Sequence, residues 1–165
     1  MAVAKYFLTT VNAGEYADFS RWDEIVHSDY SPGEIPEKMT QDTKKGREEF
    51  RQRIAHTNSC IPDLKYVIIS IIAQNDEVFV HHDVYASNKG GLYNLPTSDN
   101  QAKFLGFHRF KFKDNKIIKL WLVFDTFKAF SDWGQAIFEK NDNEELAKYM
   151  KSLVVSGLLP KSTKY

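Results

Sequence analysis

Near residue 60 the hydrophobic period of this chain switches from helical to strand-like, and that switch limits the folds open to it. Up to about residue 56 apolar residues recur at helical spacing; from Lys65 onward they run or alternate as strands do. Ala4, Phe7, Leu8 and Val11 predict a first helix, stopped at Asn12-Ala-Gly14. Tyr16, Phe19, Trp22 and Val26 predict a second. Ser31-Pro-Gly33 and Pro36 mark a loop, and a third helix follows from about Gly46 to His56 with Phe50 and Ile54 inward. After the turn Ile61-Pro-Asp63 come strands at Lys65–Ala73 and Glu77–Tyr85, joined by the hairpin signal Gln74-Asn-Asp76. Ser87-Asn-Lys-Gly-Gly91 and Leu95-Pro-Thr-Ser-Asp99 build an irregular connection. Strands at Phe104–Lys113 and Lys116–Asp125 then flank the tight turn Asp114-Asn115. A short helix is expected within Phe127–Phe138. A C-terminal helix is expected over Asn143–Ser156, with Leu146, Met150, Leu153 and Val154 on one side, before a frayed tail at Lys161–Tyr165. Helices first and hairpin-linked strands after them make an α+β fold, with helices packed on one face of a curved antiparallel sheet. A sheet curved round helices leaves a cone whose open mouth is a natural ligand site.

Size and charge narrow the function. The 165 residues suit one domain, 1–165, with a full core. Lys plus Arg number 22 and Asp plus Glu 22, so the chain lacks the basic excess of a nucleic-acid footprint or of attachment to anionic membrane. Lys44-Lys45-Gly46-Arg47 reads as a solvated charged face. The single cysteine, Cys60, allows neither an intrachain disulfide nor a cysteine-based zinc site. The first ten residues lack a long apolar stretch, and no segment is apolar for the roughly 20 residues that span a bilayer. A cytoplasmic protein is the expectation. Twelve Phe, eight Tyr and three Trp fit either a large core or a ring-lined hollow for an apolar ligand.

Three positions carry the chemistry. Asp125 ends the apolar run Lys116-Ile-Ile-Lys-Leu-Trp-Leu-Val-Phe-Asp. In a pocket, burial would raise its pKa and fit it for acid/base work; alternatively Asp-Thr-Phe-Lys-Ala-Phe is a plausible helix start that Asp125 caps. His108 is the one polar side chain on the face Phe104, Gly106, His108, Phe110, Phe112, so it points inward, as a satisfied core residue or as a partner of Asp125. His81 and His82 are adjacent and must face opposite ways. A metal set of His81, His108 and Asp125 is conceivable, but no local spacing demands it, and no metal is expected. His27 and His56 read as ordinary helix residues. Trp22 and Tyr30 could line the mouth or pack in the core; Trp121, Phe110 and Tyr85 complete the expected pocket wall.

Four segments give the chain a resemblance. Val11-Asn-Ala-Gly14 is similar to a family's end of helix one, and Ile61-Pro-Asp-Leu64 to its F-P-D-L motif, with Ile for Phe. Gly91-Leu-Tyr-Asn-Leu-Pro-Thr97 is similar to G-x-x-x-G-x-P-P-T, and Asp114-Asn-Lys-Ile-Ile-Lys-Leu-Trp121 to D-G-K-I-x-E-H-W, with Asp125 four residues on. In order and spacing the chain resembles the SnoaL-like polyketide cyclases of the nuclear-transport-factor-two-like superfamily, over about residues 3–135; the helical extension near 143–156 lies outside. The resemblance implies a cone-shaped α+β barrel, often dimeric. It implies acid/base chemistry without metal or organic cofactor, by aldol-type cyclisation, isomerisation or dehydration of an apolar carbonyl compound. Asp125 falls at the family's general acid/base and His81 at a polar pocket position; the apolar pattern makes His82 the more buried of the two, but His81 is the one expected to enter the pocket. Lys119-Leu120 replaces the family's Glu-His. That departure leaves room for a non-catalytic ligand-binding or protein-interaction domain on the same scaffold.

Overall fold

Two tight hairpins and one long connection order the strands. The computed structural model describes residues 1–31, 46–95, 97–139 and 143–155. Strands β1 (Lys65–Gln74), β2 (Glu77–Ala86), β3 (Ala102–Lys113) and β4 (Lys116–Phe124) form one antiparallel sheet in sequence order. At the β3–β4 turn Asp114 and Asn115 both take positive φ, the two-residue combination whose twist matches the strands it joins. The β2–β3 connection is held by buried Asn88, whose Oδ1 accepts from the Leu92 amide at 2.7 Å. Strand β1 carries a bulge between Ile68 and Ser70.

The N-terminal segment fills the concave side. Helix α1 (Ala2–Tyr6) runs into a π-helical turn over Phe7–Val11, and Phe7, Leu8 and Val11 are fully buried. The Phe7 ring meets Phe110 of β3 edge-on and stacks on Phe50 of α3 (Arg47–Cys60). Gly14 suits its place twice over: it adopts φ +61, and a side chain there would strike the Pro62 carbonyl, 2.2 Å from an ideal Cβ. The Glu15 amide donates to that carbonyl at 2.9 Å. Two segments of the resemblance, Val11–Gly14 and Ile61–Leu64, are thus in contact. Asp63 takes the Ser87 amide and hydroxyl at 2.8 and 2.7 Å, tying the start of β1 to the end of β2.

Helix α4 (Thr126–Glu139) packs on β3, its Trp133 Nε1 donating to the Ala86 carbonyl at 2.8 Å and its ring edge-on to Phe104. Helix α5 (Asn143–Val155) rests on α4 through Leu153 and Tyr149, whose hydroxyl donates to the Phe130 carbonyl.

Several expectations change. The second helix shrinks to a 3-10 turn at Gly14–Tyr16 and one turn, α2 (Trp22–Ile25). Tyr16 is 79 % exposed, because the chain goes extended after it and Asp18 caps a new turn at the Ser20 amide. Strand β4 stops at Phe124, one residue before Asp125. On α5 the buried stripe is Tyr149 and Leu153, whereas Met150 faces solvent. The loop at Pro32-Gly33 and Pro36, the Lys44-Lys45 pair, Ser156 and the Lys161–Tyr165 tail lie outside the described residues.

Candidate active site

Cross-strand register decides which side chains share the concave face. His82 pairs with Gly106, and Gly106 with Phe124; Val80 pairs with His108, and His108 with Leu122. His82, His108, Phe110 and Phe124 therefore converge on one face. His82 Nε2 lies 2.7 Å from His108 Nδ1, and His82 has no exposed surface. Gly106 makes this possible: a Cβ there would sit 2.3 Å from His82 Cε1 and 2.7 Å from the Phe124 ring. His108 stacks on Phe110 at 5.6 Å, while Phe124 and Tyr66 meet it edge-on. Tyr66 is also edge-on to His82 at 4.9 Å, and its Oη accepts from Asn12 Nδ2 at 2.8 Å.

Burial sets the protonation of this cluster. It pushes His82 down to about 4, with the neighbouring His81 adding to the effect. Burial, then the charge of His82, holds His108 well below the ordinary histidine range. Both rings are neutral at physiological pH, so one proton serves the bond between them and one ring accepts. His82 Nδ1 and Asn12 Oδ1 are buried without a hydrogen-bond partner among the described residues, and so is the indole Nε1 of Trp22. Buried polar atoms are seldom left so, and each costs about 1–3 kcal/mol. Leu122, across from His108 on the same face, is 51 % exposed, so the concave face reaches solvent along β4.

The structure divides the expected site residues between two faces. His108 and Phe110 are on the concave face with His82. Trp22 and Tyr30 pack in the core against Phe50, Tyr30 stacked at 4.3 Å. His81, Tyr85 and Trp121 are on the convex face. His81 stacks on Phe107, Lys103 lies over the Tyr85 ring, and Arg109 lies 4.5 Å over the Trp121 ring. The reason is strand parity: His81 pairs with Phe107 and Trp121 with Arg109, one residue out of step with the concave set. It is His82, not His81, that faces inward, as the apolar pattern Val78, Val80, His82, Val84 indicated. Asp125 follows inward-facing Phe124 and is exposed; its Oδ1 accepts from the Lys128 amide at 2.9 Å, capping α4. His81, His108 and Asp125 thus do not share a face, and among the described residues no three His, Cys, Asp or Glu side chains gather as a metal set. Tyr66 and Asn12 were missed by sequence reasoning. Tyr66 is the one polar tip at an inward position of β1, and Asn12 sits within the Val11–Gly14 motif.

A polar hollow of about 380 Å³ between the start of β3 and α4, lined by Asn100, Gln101, Asp132 and Gln135, lies apart from this cluster. No described helix is long and apolar enough to cross a membrane.

Solved structures share the fold at low identity. TsrD from Streptomyces laurentii is 18 % identical, with a TM-score of 0.67, covering 81 % of this chain and 92 % of that one. A SnoaL-like polyketide cyclase from Agrobacterium tumefaciens is 15 % identical, with a TM-score of 0.62, covering 77 % and 91 %. AclR from Streptomyces galilaeus, at 17 % identity and a TM-score of 0.62, covers 99 % of this chain and 83 % of its own. No curated protein sequence matches. The family model for SnoaL-like polyketide cyclases matches residues 4–132, from the first helix through β4 into α4, and the chain belongs to that family.

Proposed function

We propose that this protein is an enzyme acting on an apolar carbonyl compound in the aromatic concave face, with side chains alone moving the protons. The observation that carries the reading is the neutral His82–His108 pair, Nε2 to Nδ1 2.7 Å, inside a shell of Phe110, Phe124 and Tyr66. A neutral imidazole can take the proton from a carbon beside a carbonyl, leaving an enolate and an imidazolium. In an aldol-type closure the enolate carbon then bonds to a second carbonyl carbon, whose oxygen takes the proton back. Isomerisation returns the proton to another carbon, and dehydration delivers it to a departing hydroxyl. Burial disfavours the imidazolium in the empty face, and the enolate's charge offsets that cost only when substrate is present. Such general acid/base catalysis contributes roughly 10²–10⁴ in rate.

The same scaffold supports a homodimer through its convex face. Val67, Ile72, Phe79, Leu105, Phe107 and Val123 are exposed there across all four strands. The ion pairs Glu77–Arg109 and Asp83–Lys103 flank this belt, placing both signs at each rim. A two-fold-related copy would cover the belt without opposing blocks of like charge.

The test is a thermal-shift screen of aromatic ketones and hydroxyketones against the full chain, followed by turnover assays on those that bind. His108→Gln and His82→Gln should each lower turnover about 10²-fold or more. Undiminished turnover in both would refute the assignment. A second reading, a ligand-binding or protein-interaction domain without catalysis, is favoured by one observation: the Asp125 carboxylate is exposed and engaged as a helix cap. Binding with no turnover across the screen would select it.

A further inference from the structure

We infer that the polar hollow between the start of β3 and α4 binds an organic cation through its N–H donors, a guanidinium or primary ammonium group. The argument begins with the atoms of the hollow that remain unspent. Its lining is Asn100, Gln101, Asp132 and Gln135, around about 380 Å³, with no ring or aliphatic side chain. Gln101 Nε2 donates to the Asp63 carboxylate at 3.1 Å, and Asn100 Nδ2 donates to the Asp132 carbonyl at 3.4 Å. Burial works to raise the Asp63 pKa, but the Ser87 and Gln101 hydrogen bonds outweigh it and keep the group ionised. Both partners are thus oxygens that only accept, so the chemistry of the bond decides which end of each carboxamide is nitrogen. The other ends, Asn100 Oδ1 and Gln101 Oε1, receive no hydrogen bond among the described residues. With the Asp132 carboxylate, the hollow offers oxygen acceptors and one negative charge. An anion meets repulsion there, and an apolar molecule meets no apolar wall. A metal ion wants more oxygen ligands than these, and no three His, Cys, Asp or Glu side chains gather as a metal set among the described residues. The volume is that of a small-molecule site.

The chain itself displays the chemistry. Lys128, one helical turn before Asp132 on α4, sets its ammonium on the Asp132 carboxylate. The Lys128 side chain is 52 % exposed, so this pair sits in water and is weak enough to open. A free cation with the same head competes for that carboxylate and gains the amide oxygens as well. The facing wall is fixed before any ligand arrives. The Ser98 amide donates to the Asn88 carbonyl at 2.9 Å, and Ser98 Oγ accepts from the Asn100 amide at 3.2 Å. Asp63, which holds Gln101, is tied in turn to the Ser87 amide and hydroxyl. Acceptors already held in place lose little freedom on binding. The hollow is separate from the His82–His108 cluster, so this inference does not depend on the reaction proposed there.

The probe is agmatine, which carries a guanidinium at one end and a primary ammonium at the other. It is titrated into the full chain at low salt while side-chain amide signals are followed by NMR. Tetramethylammonium, which has the charge without a donor, is the control. Agmatine should move the side-chain amide signals of Asn100 and Gln101. It should bind about 10-fold tighter than tetramethylammonium, the scale of a hydrogen bond to a charged group. Asp132→Asn should weaken agmatine binding about 10-fold. Lys128→Met removes the internal competitor but keeps the backbone amide that caps α4, and should tighten agmatine about 3-fold. If Asp132→Asn does not fold, Lys128→Met still decides: an affinity that does not rise overturns the inference. No binding of agmatine at millimolar concentration, equal affinity for tetramethylammonium, or shifts confined to residues away from the hollow would each overturn it too.

Discussion

On the concave face of the sheet His82 lies with no exposed surface, seated on Gly106 beneath Phe124, whereas on the convex face its neighbour His81 stacks half-buried on exposed Phe107. One peptide bond separates the two rings, and strand parity alone assigns them opposite fates. Concave polar groups are few, buried and incompletely matched; convex ones are ion pairs in contact with water. A buried ring makes dense contacts and its loss leaves a hole, whereas an exposed ring is energetically idle until something covers it. The teaching is that the inward set should control folding and proton chemistry, and the outward set only association.

The largest effect should come from the pair Phe110 and Phe107. Phe110→Ala empties the space between Phe7 and His108 and should cost about 3–5 kcal/mol in denaturant unfolding. Phe107→Ala, 48 % exposed, should stay within about 0.5 kcal/mol for the monomer. Equal costs would erase the distinction between the faces.

Acid should come next. The folded pKa of His82, about 4, lies below its ordinary 6.5, so between those values the unfolded chain binds more protons. Its stabilisation is complete above 6.5 and is lost as pH falls toward 4, on the order of 3 kcal/mol by linkage. Urea midpoints measured across that window should fall with pH, and His82→Leu should flatten the slope by removing this share.

A smaller effect is expected at the carboxylate between the faces. Asp125→Ala removes the α4 cap and should cost about 1 kcal/mol, while Asp125→Asn, which caps as well, should change the melting midpoint little. On a ligand that turns over, Asp125→Asn should retain activity; a loss of 10²-fold or more would return the proton work to this residue. The least energetic change should be Val123→Asp on the convex belt, 66 % exposed, with monomer stability within about 0.5 kcal/mol. Sedimentation should nonetheless register it, as loss of the proposed dimer; an unaltered sedimentation coefficient would rule that surface out as its interface.

Much of the scaffold was legible because period reports burial directly. The inward run Phe104, Gly106, His108, Phe110 follows from strict alternation, and Asp114-Asn115 announced its turn by residue type. The site was less legible because convergence depends on register between strands, which no single segment encodes. Nothing local says that Gly106 faces His82, or that Asn12 and Tyr66, 54 residues apart, share a hydrogen bond. The second helix failed for a different reason: apolar residues at Tyr16, Phe19 and Trp22 imitate a helical stripe across an extended corner. Trp121 misled through its company, for an aromatic ring in an apolar run can equally serve an arginine outside.

The bulge in β1 works as a phase correction. Before it, Tyr66 and Ile68 pair with the inward residues Val84 and His82; after it, Ile71 and Ala73 pair with inward Val80 and Val78. An even step of two could not bring both halves to the same side, and Ile69 supplies the odd residue. Pairing β1 with β2 in unbroken register, Ile69 kept but no bulge, would leave the composition untouched. It would also force a choice between two half-correct sheets: one with Tyr66 inside and Ile71 in water, the other with Ile71 inside and the phenol turned out of the protein.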